Sequence, residues 1–235
     1  MKPTEYQVFE SLDYIYAVKR KGELLLAEKL LVGALHFLSF FLDINYNSYF
    51  RSYLAKLLFE QNRYAEAEPI FRQALIELEE RFGNLRSNYK SFPAGSCNEH
   101  SGFIHIISSM NFFGLVLHEI GKLEESEQIF KEILSIKQHI YKAEFVDGIN
   151  ESTLRSLDRY GIILYKHEKY EEAVWYLQSS FNWNKKMYGT CRRESVVINS
   201  YLCNALKKIG KFAESDYWFD VGSPDGDIPL CPFRD

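Results

Sequence analysis

The sequence predicts an all-α protein built from about five helical hairpins. Three observations carry that expectation. A large residue recurs at Leu24, Tyr64, Leu123, Tyr170 and Phe212, with a small one three positions on (Ala27, Ala67, Ser126, Ala173, Ser215) and a large one seven on (Leu31, Phe71, Phe130, Leu177, Phe219). Nine positions before each anchor stands Ile15, Ala55, Gly114, Gly161 or Cys203, and six before it Val18, Leu58, Leu117, Leu164 or Leu206. Spacings of three, four and seven put these residues on one helix face, and a small residue opposite a large one lets two helices approach closely. Between the two patterns lies Gly22, Asn62, Gly121, Glu168 or Gly210. Glycine and asparagine suit the left-handed residue that ends a helix; Glu168 is the departure.

The hairpins follow in order near residues 8–43, 47–83, 106–142, 153–189 and 195–221. Eighteen positions after four of the anchors stand Leu42, Phe82, Tyr141 and Tyr188, which sets the expected ends of the second helices; Gly83 and Gly189 follow as caps. The anchors are 40, 59, 47 and 42 residues apart. The widest interval leaves an insertion at 84–105, polar and turn-rich from Asn84 to His100, which reads as a long loop dispensable for folding. A smaller insertion, from Ala143 to Gly148, lengthens one connection. Residues 222–235 contain three prolines, which prevent a continuous helix and predict an irregular tail.

The run Tyr64-Ala-Glu-Ala-Glu-Pro-Ile-Phe-Arg-Gln-Ala-Leu75 resembles the tetratricopeptide repeat. The wide anchor spacing, against about 34 residues in the standard repeat, resembles the variant found in kinesin light chains. The likeness covers roughly residues 10 to 221 and implies one elongated domain, a right-handed α-α superhelix (solenoid), that gains core a layer at a time. The first copy, Gly22-Glu-Leu-Leu-Leu-Ala-Glu-Lys-Leu-Leu, is divergent and emerges only from the register.

Composition excludes several classes of function. The net charge is −4 and no basic run appears, so a nucleic-acid partner is not expected. The 16 Tyr and 18 Phe suit the spaces between stacked hairpins. Cys97, Cys191, Cys203 and Cys231 form no C-x-x-C pair and read as reduced thiols of a cytoplasmic protein, with a nuclear location also open. The apolar run from Leu30 to Leu42 is too short to span a membrane. No glycine-rich phosphate loop, G-x-S-x-G elbow or H-E-x-x-H helix occurs. Cys97 and His100 are two potential ligands where zinc needs four, and Asp225-Gly-Asp227 lacks the ligand series of a calcium loop. Neither enzymatic activity nor a metal or cofactor is expected. The acidic pairs Glu124-Glu125 and Glu171-Glu172 open second helices, where they favour the helix dipole.

What remains is a surface. The resemblance implies a concave groove lined by first helices, in which a protein segment is held by side chains from successive layers. The matching positions are Tyr49, Ser52 and Lys56; Ser108, Asn111, Leu115 and His118; Arg155, Asp158, Ile162 and Tyr165; Ser200, Asn204 and Lys207. In the carboxylate clamp of chaperone-binding members, Arg155 and Arg159 match the third-repeat basic pair, while Ser52, Lys56 and Phe112 stand where Lys, Asn and Asn belong. Of the groove asparagines of kinesin light chains only Asn111 is in place; Asn199 and Asn204 are displaced.

The expectation is a non-enzymatic interaction scaffold. A partner segment crosses the first helices of the third to fifth hairpins, with Arg155, Arg159 and Lys207 supplying charge and Asn111 and Asn204 hydrogen bonds. The alternative is a structural subunit of a larger assembly, packing through Phe37, Phe40, Phe41, Trp218 and Phe219. A ligand-responsive regulator or enzyme on the same scaffold is the third class.

Overall fold

Every anchor of the sequence register is the first residue of a helix. The computed structural model describes residues 5–39, 44–82, 85–91, 101–141, 151–189 and 193–222. First and second helices alternate: α1 (Glu5–Arg20) and α2 (Leu24–Ser39), α3 (Ile44–Glu60) and α4 (Tyr64–Phe82), α6 (Ser101–Glu119) and α7 (Leu123–Tyr141), α8 (Glu151–Lys166) and α9 (Tyr170–Tyr188), α10 (Arg193–Lys208) and α11 (Phe212–Gly222). A short α5 (Leu85–Asn88) and a 3₁₀ turn at Tyr89–Ser91 lie within the stretch expected to be loop. No strand occurs among the described residues. The chain forms two units, Met1–Ile136 and Lys137–Asp235, with the boundary inside α7.

All five hairpin turns use the same backbone device. Gly22, Asn62, Gly121, Glu168 and Gly210 have φ of 85°, 61°, 80°, 62° and 78°. The N–H of the next residue returns to the carbonyl of the core residue six positions before the anchor: Arg63 to Leu58 at 2.9 Å, Lys122 to Leu117 at 2.8 Å, Lys169 to Leu164 at 3.0 Å and Lys211 to Leu206 at 2.9 Å. This is the Schellman pattern, which satisfies carbonyls that the ending helix leaves open. Glu168 takes the left-handed conformation despite its β-carbon.

In the third and fourth hairpins the small and large positions meet. A β-carbon on Gly114 would lie 2.6 Å from the Phe130 ring, and one on Gly161 would lie 2.9 Å from Leu177. The serines three residues after the anchors bond across the same contact, Ser126 Oγ to the Gly114 carbonyl at 2.7 Å and Ser215 Oγ to the Cys203 carbonyl at 3.1 Å. Phe71, Phe130 and Leu177 are fully buried, each worth about 1.5–3 kcal/mol of apolar transfer. Phe219, at the matching place in α11, is 57% exposed. The helices α4, α7 and α9 end at the expected Phe82, Tyr141 and Tyr188; Leu42 and Gly83 lie outside the described residues.

In the first unit, α4 packs on α6 through Phe71 and Phe113 (ring centroids 6.4 Å), and Arg63 of α4's turn bonds Glu28 of α2 at 2.8 Å. Arg86 of α5 pins that short helix to α7 through paired bonds to Glu132 of 2.6 and 2.7 Å. In the second unit, Phe181 of α9 meets Trp218 of α11 (5.8 Å), and Tyr165 of α8 meets Tyr201 of α10 (5.2 Å). No described helix is long and apolar enough to cross a membrane. Residues 92–100 of the expected loop, and residues 223–235 of the expected tail, lie outside the described residues.

Candidate functional site

In the first unit the candidates come from α3 and α6. The apolar stripe of α3 (Leu54, Leu57, Leu58) is buried and leaves Lys56 half-buried at its edge. Its Nζ donates to Ser108 Oγ of α6 at 3.0 Å and lies over the rings of Tyr53 (5.3 Å) and Phe112 (5.2 Å). Burial, and then the charge of Lys19, lower its pKa from the usual lysine range to about 8. Ring faces attract a cation but replace only part of its lost hydration. Ser52 and Ser109 bond each other at 2.9 Å.

Asn111 is buried and turned along its own helix, its Nδ2 donating to the Ile107 carbonyl at 2.8 Å. Its Oδ1 is buried without a hydrogen-bond partner. A buried acceptor left unsatisfied costs about 1–3 kcal/mol. His118, one turn further along α6 from Leu115, is half-buried.

In the second unit α8 carries four candidates, and they face different ways. Arg155 is exposed and Arg159 half-buried; burial, then the charge of Arg155, hold Arg159 below the usual arginine range. Asp158 is turned to α9, where it accepts bonds from Ser180 Oγ and from Asn184 Nδ2. Burial outweighs those bonds and raises its pKa to about 6. Tyr165 stacks edge-on against Tyr170 and Tyr201. On α10, Asn204 and Lys207 are exposed, whereas Asn199 is buried, donating to the Trp218 carbonyl at 3.0 Å.

Sequence reasoning missed Lys137. It is buried, donates to Ser156 Oγ of α8 at 2.8 Å, and has its pKa lowered to about 7 by burial, then by Arg159 and Arg155. The signal lies fourteen residues after the anchors, where Leu38 and Leu78 give way to Lys137 and Asn184. Both polar replacements are buried, and both serve α8.

Among the described residues no group of three His, Cys, Asp or Glu could hold a metal ion. Cys203 is buried, its thiol pKa raised by that burial. Cys97, His100, Cys191, Asp225, Asp227 and Cys231 lie outside the described residues.

The arrangement has known counterparts. Residues 50–87 and 106–147 match the tetratricopeptide repeat family. None of the curated proteins compared matches the chain in sequence. A putative kinesin light chain with nearly identical repeats from Podospora anserina is similar in structure (TM-score 0.69, 13% identity, 94% of this chain and 95% of that one). So is BtubC (BKLC) from P. vanneervenii (TM-score 0.70, 16% identity, 98% of this chain and 87% of that one). The Rap conjugation gene regulator of plasmid pLS20, solved in complex with the Phr* peptide, is less similar (TM-score 0.54, 15% identity, 92% of this chain and 52% of that one). At these identities the likeness is one of fold.

Proposed function

We propose that this chain, two of whose hairpins match the tetratricopeptide repeat family and whose fold is similar to that of a putative kinesin light chain, is a non-enzymatic interaction scaffold that holds an acidic protein segment along its first helices. The observation that carries the reading is Lys56. Among the described residues no carboxylate bonds it; a hydroxyl and two ring faces hold an ammonium drawn partly out of water. A partner carboxylate supplies the charge the site lacks. In the second unit, Arg155, Arg159 and Lys207 give α8 and α10 the same sign of charge. The Rap regulator, solved with a bound peptide, has a related fold.

The test is titration with extended acidic peptides and their Lys-for-Glu counterparts. Lys56→Glu, or Arg155→Glu with Arg159→Glu, weakens binding by roughly 2 kcal/mol or more with helicity unchanged, because reversed charge adds repulsion to the lost contact. Affinity unmoved by all of them removes the first helices as the site. The second reading, a subunit packed permanently in a larger assembly, is favoured by Phe219: its counterparts are buried and it is largely exposed. Of the other residues that reading named, Trp218 is half-buried against Phe181 and Phe37 is exposed; Phe40 and Phe41 lie outside the described residues.

A further inference from the structure

A small apolar cavity lies beside Lys56. Leu12 and Ile15 of α1, Ala27 and Leu31 of α2, and Leu57 of α3 line it, and Lys56 completes the lining. The five apolar residues are buried. The space is about 30 Å³, room for a methyl group or a single water, and a lining of this kind holds the methyl more readily than the water.

The amine at its edge is arranged as a nucleophile. Its Nζ donates to Ser108 Oγ and lies over the rings of Tyr53 and Phe112. Burial and the charge of Lys19 bring its pKa to about 8, so a sizeable share is free amine near neutral pH. Desolvation and a neighbouring cation are the two means by which a lysine amine is activated for attack on a carbonyl. Lys137 separates basicity from access. Its pKa is lowered further, to about 7, yet it is 1% exposed, bonded to Ser156 and closed off from solution. Lys56 is half-buried and reaches both solution and the cavity.

We propose that Lys56 is an acylation site that takes an acetyl group from an acetyl thioester, with the acetyl methyl seated in the cavity between α1, α2 and α3. The amine nitrogen attacks the thioester carbonyl. A C–N bond forms, the C–S bond breaks, the nitrogen gives up a proton, and the sulfur leaves as a thiolate that takes one up. The product is an uncharged amide. The acylation stands without the groove reading, whereas its consequence rests on it: an acetylated Lys56 no longer attracts a carboxylate, so the modification turns off binding of an acidic segment.

The full chain is incubated with acetyl-coenzyme A at about pH 7.5 and each lysine is followed by peptide mass spectrometry. Lys56 is expected to react roughly tenfold or more faster than the exposed Lys207 and Lys208, and Lys137 more slowly than Lys56. Leu12→Phe, which fills the cavity, slows Lys56 with helicity unchanged and leaves Lys207 unaltered. In urea the preference for Lys56 disappears. Equal rates at Lys56 and Lys207 overturn the proposal, as does Lys137 keeping pace with Lys56. A preference that survives unfolding, or that a folded Leu12→Phe chain retains in full, takes the cavity out of the reaction and overturns it too. Titration of the acetylated chain with an acidic peptide then tests the consequence: affinity falls as it does in Lys56→Gln. Selective acetylation with affinity unmoved refutes the groove reading at Lys56 and leaves the acylation site in place.

Discussion

Gly114 lies directly under the Phe130 ring, with room for a hydrogen and none for a methyl: a β-carbon there would stand 2.6 Å from Cε2 and 3.1 Å from two further ring atoms. The Ser126 hydroxyl, bonded to the Gly114 carbonyl at 2.7 Å, holds the two helices at that separation.

Gly114→Ala is therefore expected to destabilise despite its gain in helix propensity. Overpacking costs about 1–3 kcal/mol against about 1 kcal/mol recovered. Gly161→Leu, against Leu177, lies at the upper end of that range, as does Ala67→Phe at a fully buried helix contact. Gly33→Ala, whose β-carbon meets nothing within 4 Å, raises stability by about 0.5–1 kcal/mol. Urea denaturation separates the cases. Stabilisation by both Gly114→Ala and Gly33→Ala would show that helix propensity, not packing, governs both.

The turn at Glu168 yields a second expectation. Its φ of 62° places a β-carbon where glycine stands in three of the five turns. Non-glycine residues in this region carry strain of order 1 kcal/mol, and no side-chain bond of Glu168 offsets it. Glu168→Gly relieves that strain and, less the entropy glycine adds to the unfolded chain, stabilises by about 0.5 kcal/mol. Asn62→Gly changes little, since asparagine tolerates the conformation. A fall in the urea midpoint of Glu168→Gly would contradict the strain.

Much of this fold was legible because it repeats. A turn, a small residue and a large residue at fixed spacing locate a hairpin five times over, and a divergent copy such as α2 is caught by its neighbours' register. The site was less legible, for two physical reasons. Register reports which side of a helix a residue occupies but not whether its polar end stays in water: Asp158 and Asn111 stand at groove positions, yet one is bonded to α9 and the other to its own helix. Polar residues that replace leucines inside the stack, Lys137 and Asn184, follow no motif.

Asp158 predicts a pH dependence with a definite sign. Its folded pKa, raised to about 6 by burial, exceeds the ordinary 3.8, so the folded chain holds a proton that the unfolded chain releases. The stability linked to that proton is full below about pH 4 and is lost as pH rises through about 6. Two pK units correspond to roughly 3 kcal/mol. Asp158→Asn keeps an oxygen that accepts from Ser180 and Asn184 and removes the titration. The variant should match the parent near pH 4 and exceed it at pH 7 in thermal midpoint; parallel pH profiles would mean that Asp158 is not desolvated.

Lys56 links protonation to the proposed binding. With its pKa near 8, the free groove carries a mixture of ammonium and amine slightly above neutral pH, whereas a bound carboxylate favours the ammonium and raises the pKa toward its ordinary value. Binding of an acidic peptide at about pH 8.5 must then take up a fraction of a proton. Calorimetry in two buffers of different ionisation enthalpy reads that uptake as a difference in observed heat. Affinity should fall as pH rises from about 7 to 10, since each complex formed above pH 8 requires a proton the solution holds less readily. Lys56→Arg keeps the charge at all these pH values, so it should bind with no uptake and a flat profile. Lys56→Met should bind weakly throughout, and an uptake that persisted in either variant would place the titrating group elsewhere.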